Sequence, residues 1–203
     1  HEVFNMTKTL IQLFAKPPVE GKVKTRLIPD IGEKSATAIY QHCLKSNIKL
    51  VKQSAFEYQI WLTEVSDHPL FKNEKVKIQQ GNNLGEKMLH ALTEALSLHT
   101  KVILIGSDCL DLSTSLLKRV CEKLEQHELV FIPALDGGYV LIAAKESIDP
   151  NIFKDIEWGS DSVLTQTLER AMQSGIDTAV LNPLRDIDRV DDVQHYAELK
   201  QYL

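Results

Sequence analysis

Four acidic and four basic side chains, gathered into three short stretches, carry most of the chemistry open to this sequence. Ser107 and Asp108 come directly after the apolar run Val102-Ile-Leu-Ile105 and Gly106, and Asp111 lies three residues further on. Carboxylates at such a place suggest a divalent cation, held by hard oxygen ligands and shared with a phosphate. Asp111 also fits a plainer role, capping the helix that follows, as does Ser113. Both readings of Asp111 stand.

Lys16, Lys22, Lys24 and Arg26 crowd into the segment 15–27, stiffened by Pro17 and Pro18, in a chain whose net charge is −5. Like charges repel, so four cations on one loop make sense where an anion visits. Lysine offers a point charge to a phosphate and arginine a bidentate fork. The plainer reading is a solvated basic loop; on the phosphate-binding reading Lys24 and Arg26 are expected to be exposed, with little core packing to lose. Gly21-Lys-Val-Lys-Thr25 lacks the spacing of a Walker A loop.

Two further stretches are polar in a patterned way. Asp186 and Asp188 flank Ile187 and would point the same way on extended backbone. Asp191 and Asp192 fit the amino end of a last helix, where negative charge is favoured. Asp136-Gly137-Gly138 separates two apolar runs. It reads equally as a hairpin turn or as glycines that let backbone approach a substrate closely.

These residues need elements to hold them. Val102–Ile105 is an unbroken apolar run without alternation, as in a strand covered on both faces, and ligands of open α/β sheets sit beyond the carboxyl ends of such strands. Strands are predicted at 9–14, 56–62, 76–79, 102–105, 129–134, 139–144 and 178–181. Helical stripes run from Gly32 to about Val51 (Ala36, Ile39, Tyr40, Cys43, Leu44, Ile48), through Leu84, Met88, Leu92 and Ala95, through Leu116, Leu117, Val120 and Leu124, and through Leu164, Leu168 and Ala171. The first stripe is read as core rather than site. Gly81 to Glu86 opens the second helix, and its glycines and amides offer a weaker site signal. Strands alternating with helices, with one near-hairpin inserted, give an α/β fold with a mostly parallel sheet.

At 203 residues, 43% hydrophobic and 25% charged, the chain is ordinary for one soluble domain, expected over residues 7–203. Residues 1–6 read as a terminal or cloning remnant. The acidic balance argues against nucleic acid as a partner. No apolar run has membrane-spanning length, and nothing reads as a signal peptide. Cys43, Cys109 and Cys121 are scattered and odd in number, as for free thiols in a reducing compartment. The expectation is a cytoplasmic protein that binds small molecules; a homo-oligomer is compatible with it. The seven histidines have no zinc-enzyme spacing, and neither a G-x-S-x-G elbow nor a G-x-G-x-x-G turn occurs.

Taken in order, FAKPPVEGKVKTRL (14–27), NLGEKM (83–88), LIGSDCLDL (104–112), PALDGGYVLI (133–142) and RDIDRVDDV (185–193) resemble a bacterial family of uncharacterised transferases with the nucleotide-diphospho-sugar transferase (GT-A) fold. The guanylyltransferases for molybdenum cofactor and for 2-phospholactate are relatives in that superfamily, and the latter carry a similar K-x-R-L first loop. The resemblance implies a three-layer α/β/α domain with a mostly parallel mixed sheet. It puts Lys16, Lys22, Lys24, Arg26 and Ser107 against the nucleotide, with Lys24 and Asp108 catalytic. Asp108 and Asp188 would hold Mg²⁺, with Asp111 and Asp186 as neighbours, and Asp136, Gly137 and Gly138 would border the acceptor. Asn83 and Lys87 stand where the family commonly has Asp and Arg, which leaves the part played by that helix opening unassigned.

The expected activity is transfer of a nucleotidyl group from a nucleoside triphosphate to a small phosphorylated or hydroxyl acceptor. Glycosyl transfer from a nucleotide-sugar is the alternative, and a non-catalytic nucleotide-binding protein is a second one.

Overall fold

The computed structural model describes residues 9–203. Residues 1–6, expected to be a terminal remnant, and the first two residues of the expected domain lie outside the described residues.

In chain order the elements are β1 (Thr9–Ala15), α1 (Ile28–Gln53), β2 (Glu57–Leu62), β3 (Val76–Ile78), α2 (Leu84–Leu98), β4 (Lys101–Ile105), α3 (Thr114–Lys123), β5 (Leu129–Pro133), β6 (Tyr139–Lys145), α4 (Val163–Gln173), β7 (Thr178–Val180) and α5 (Val190–Gln194). They build a seven-stranded sheet in the order β3-β2-β1-β4-β6-β5-β7. β6 runs antiparallel to both its neighbours, and the other pairings are parallel. The sheet is therefore mostly parallel and mixed, and the α/β class read from the sequence holds.

β1 and β4 sit side by side in the middle, and both are buried on both faces. Their odd-numbered residues Ile11, Leu13, Ile103 and Ile105 pack with α1 and α3 through Tyr40, Leu44, Leu117 and Val120. Even-numbered Leu10, Phe14, Val102 and Leu104 face the opposite layer, formed by Met88, Leu92 and Ala95 of α2 and Ala171 of α4. This two-sided burial explains why the strands read as continuous apolar runs. A third cluster matters for the site. Leu27, Ile39 and Cys43 receive Ile187, Val193 and Leu199, which docks the C-terminal segment onto α1.

Three boundaries differ from the sequence reading. α1 starts at Ile28, with Pro29 in its first turn, and is broken at Gly32, whose φ of 84° is non-helical. The last helix is one short turn, α5, followed by 3-10 turns over Ala197–Tyr202. Residues 69–71, between the predicted strands at 56–62 and 76–79, form a 3-10 turn capped by the His68 side chain. Among the described residues, no helix is long and apolar enough to cross a membrane.

Candidate functional site

β1 leads to β2 on one side of the sheet and lies against β4 on the other, so the chain's winding reverses between β1 and β4. A crevice forms beyond the carboxyl ends at such a switch point. Here it is a cleft of about 930 Å³, lined by Lys16, Thr63, Gln79 and Ser107–Asp108 from the strand ends, within the size range of small-molecule sites. Its far wall comes from the β5–β6 connection and the approach to α4, and its rim from Arg185, Asp186, Asp188 and Arg189.

The basic loop is pinned by its apolar residues. Val23 and Leu27 are buried, which turns Lys24, Thr25 and Arg26 into the cleft. Tyr40 holds the loop's start. Its hydroxyl accepts from the Lys16 backbone N–H and donates to the Lys16 carbonyl, both at 2.7 Å, and lies 3.4 Å from Ser107 Oγ. Burial pushes this hydroxyl's pKa up, so it stays protonated. Tyr40 was read as plain core, yet it joins the ends of β1 and β4 beneath the cleft. A tyrosine among aliphatic stripe positions was the available signal, since a buried hydroxyl needs partners.

The acids are brought together from the middle of the chain and its C-terminal part. Cys109 and Asp186 form an isolated antiparallel bridge, and the Ile187 amide donates to the Asp108 carbonyl at 2.9 Å. Buried Asn47 reinforces this from α1, donating through Nδ2 to the carbonyls of Cys43 and Cys109. Asn47 sits within the helical stripe between Leu44 and Ile48. A polar residue on the buried face of a helix was its trace.

Lys24 departs from the expectation of an exposed cation. Its side chain is 6% exposed, its ammonium lies 2.6 Å from Asp108 Oδ1, and it donates to the Ile187 carbonyl. Burial works against its charge, but Asp108, joined by Cys43 and Asp186, more than offsets this, and the Lys24 pKa is raised. Lys24 aside, Asp108 Oδ1 is buried without a hydrogen-bond partner among the described residues. The backbone at Lys24 is left-handed, with φ 51°. A lysine there is uncommon and costs free energy that the surrounding contacts must offset. Arg26 remains exposed and pairs with Asp188 at 2.8 Å.

Asp186 is the most perturbed acid of the cleft. Burial, then the charges of Asp108 and Asp136, raise its pKa to about 8, with Lys24 acting in the opposite sense. The crowding of carboxylates around one buried ammonium thus favours the protonated form of Asp186 at neutral pH. Among the described residues, no three His, Cys, Asp or Glu side chains converge closely enough to hold a metal ion by themselves. The donor set fits a cation that takes one or two carboxylates and completes its shell with phosphate oxygens and water, as Mg²⁺ does.

Several sequence-derived candidates lie elsewhere. Lys22 faces a separate, shallower pocket with Val19, Glu64 and Val65. Asp111 accepts from the Tyr196 hydroxyl at 2.5 Å, and Ser113 caps α3 instead. Asn83 caps α2, accepting from the Glu86 amide at 2.9 Å; neither it nor Lys87 lines the cleft. Gly85 admits the ring of Trp158, since a Cβ there would lie 2.5 Å from it. Asp192 accepts from the amides of Asp188 and Arg189 and pairs with Arg185, so it organises the helix end as expected.

Asp136-Gly137-Gly138 turns the hairpin between β5 and β6, and Asp136 accepts from the Gly138 amide at 3.0 Å. Asp136 and Gly138 line the cleft, whereas Gly137 does not. A Cβ on Gly137 would meet the Asp161 carbonyl at 2.0 Å, and its φ is 96°. The close backbone approach is real, but its partner is this chain. The approach brings Asp161 to the cleft along with Trp158, Gly159 and Ser160, none of them singled out beforehand as ligand-facing. Cys43 and Cys109 are buried free thiols, with pKa pushed up by burial to about 12. They are correspondingly unreactive.

Fold and site together define a nucleotide-diphospho-sugar transferase-type α/β fold, with the cleft at its switch point. The chain belongs to a family of uncharacterised proteins conserved in bacteria, DUF2064, whose model matches residues 46–160. It is similar to a provisionally assigned nucleotide-diphospho-sugar transferase from Desulfovibrio desulfuricans G20, with 29% identity and a TM-score of 0.88 over 96% of this chain and 89% of that one. More distant likenesses extend to 4-diphosphocytidyl-2C-methyl-D-erythritol synthase from Anaerococcus prevotii DSM 20548 (12% identity, TM-score 0.60, covering 96% of this chain and 99% of that one). The CMP:2-keto-3-deoxy-manno-octonic acid synthetase structure complexed with CTP is also similar (12% identity, TM-score 0.54, 97% and 100% covered). These last two speak for the fold alone. No curated protein matches the sequence.

Proposed function

We propose that the protein is a Mg²⁺- or Mn²⁺-dependent nucleotidyltransferase acting on a nucleoside triphosphate and a small phosphorylated or hydroxyl acceptor. The observation that carries this is the juxtaposition, across one cleft at the switch point, of a basic loop and a carboxylate cluster. An acceptor oxygen attacks the α-phosphorus, the bond to the β-phosphate breaks, and pyrophosphate leaves. Such chemistry needs alignment and charge neutralisation more than covalent help.

Lys16 and Arg26 are suited to the phosphates, and Ser107 to a hydrogen bond beside them. Asp108 with Asp186 or Asp188 would hold the cation, which when bound supplies neutralisation of the leaving group. Asp188 is already matched with Arg26, whereas Asp186, whose pKa is raised by burial and then by the charge of Asp108, has no such partner among the described residues. Asp136, Gly138 and Asp161 form the wall opposite the phosphate side and are assigned to the acceptor.

Glycosyl transfer from a nucleotide-sugar is the second reading, favoured by the relative from Desulfovibrio desulfuricans. A protein that only binds nucleotide is the third, since fold does not establish activity. A screen of nucleoside triphosphates and nucleotide-sugars with mixed acceptors separates them. Pyrophosphate release supports the proposal, nucleoside diphosphate release supports the second reading, and Mg²⁺-dependent binding without turnover supports the third.

A further inference from the structure

The contact between Lys24 and Asp108 has the ligand set of a small hard cation. The Lys24 ammonium takes one carboxylate oxygen, at 2.6 Å, and one backbone carbonyl, that of Ile187. Those two oxygens come from the two acid-bearing segments, at the end of β4 and within Asp186-Ile187-Asp188. It also sits where few lysines do, with a left-handed backbone and a side chain sealed from solvent. Asp136 and Asp186 line the same cleft, and among the described residues neither forms a salt bridge, so Lys24 is the cation in contact with the acid cluster at Asp108.

We infer that Lys24 is a resident counter-ion, which holds the two acid segments together while the cleft is empty and leaves Asp108 when a divalent cation loads. The inference rests on the metal-dependent reading above and deepens it, because one side chain then serves two states. In the first it neutralises Asp108. In the second its ammonium is free to swing into the cleft and meet the phosphates that arrive with the cation. A divalent cation arriving at either oxygen of Asp108 would stand close to the Lys24 ammonium in a partly buried site, where like charges repel strongly, and that repulsion drives the exchange.

The test uses Lys24 as its own reporter. Reductive methylation of the wild-type chain, read residue by residue by mass spectrometry, should find Lys24 protected in the absence of metal. Mg²⁺ should make it reactive, and further addition of nucleoside triphosphate should protect it again. In parallel, Mn²⁺ titration followed by electron paramagnetic resonance should show Lys24→Met binding the ion at least about tenfold more tightly than wild type, the scale of one charge-assisted contact. Equal Mn²⁺ affinity with Lys24 protected throughout overturns the inference and leaves the metal reading standing. No Mn²⁺ binding to either protein overturns both. Should Lys24→Met fail to fold, the methylation pattern of the wild type decides alone.

Discussion

Ile187 donates its backbone N–H to the carbonyl of Asp108, 79 positions earlier in the sequence, at 2.9 Å, and so fixes the two acid segments at one place. The carboxylates on either side of this bond, rather than either segment alone, make the candidate cation site.

Asp108→Asn is expected to abolish Mg²⁺-dependent stabilisation by nucleotide. The apo protein should also lose stability, by about 1–3 kcal/mol, because buried Lys24 loses its carboxylate. Relief of carboxylate repulsion would have predicted the opposite sign. Melting curves of apo, nucleotide and Mg²⁺-nucleotide samples decide it, with Asp191→Asn as a control that should resemble wild type. A full Mg²⁺-dependent shift in Asp108→Asn would falsify the metal assignment.

Arg26→Ala and Lys24→Ala should part company. Arg26 is half exposed and its pair with Asp188 is a surface ion pair, so its removal should change stability by less than about 1 kcal/mol. Nucleotide affinity should still fall roughly ten- to hundredfold. Lys24→Ala should lose stability as well as affinity. Urea unfolding beside nucleotide titration separates the two effects; if both variants lose affinity alone, the burial of Lys24 has no energetic consequence.

Gly137→Ala should act on the fold. Its Cβ would overlap the Asp161 carbonyl and strain a positive-φ turn, a combination that costs on the order of 2–4 kcal/mol. In a chain of this size that is a fall in melting temperature of roughly 4–16 °C. Activity per folded molecule should change little. A normal melting temperature with lost turnover would return Gly137 to the acceptor site.

Asp186 predicts a pH dependence. Its folded-state pKa of about 8 lies above the ordinary carboxylate value of 3.8. The native state therefore binds more protons than the unfolded chain between those values. Stability from this group is fully present below about pH 4 and declines as pH rises, until it is lost above about pH 8. Asp186→Asn should flatten that slope. Unfolding midpoints of both proteins at several pH values between 5 and 9 provide the measurement, and parallel profiles would contradict the assignment.

Much of the architecture was legible because burial writes itself into local pattern. Val102–Ile105 reads as a covered strand since both its faces pack, and the stripe from Ala36 to Val51 reads as a helix since one face does. The ordered motifs likewise carried the family, and with it the mixed sheet and the place of the basic loop beside Asp108. The β5–β6 hairpin was half legible: Asp136-Gly137-Gly138 announced a turn, but the chain segment it admits lies two dozen residues away.

What the sequence alone determined, then, were the elements, their order and the types of side chain that meet in the cleft. Which of those side chains pair was decided by tertiary structure. Lys24 reaches the Ile187 carbonyl 163 positions away, and Arg26 reaches Asp188 across 162. Tyr196 takes Asp111 away from the cleft across 85. No local propensity records such choices. A lysine in a basic loop carries the same charge whether it faces water or is sealed against a carboxylate, and only the docking of the C-terminal segment through Ile187, Val193 and Leu199 onto α1 removes the water and selects the partner.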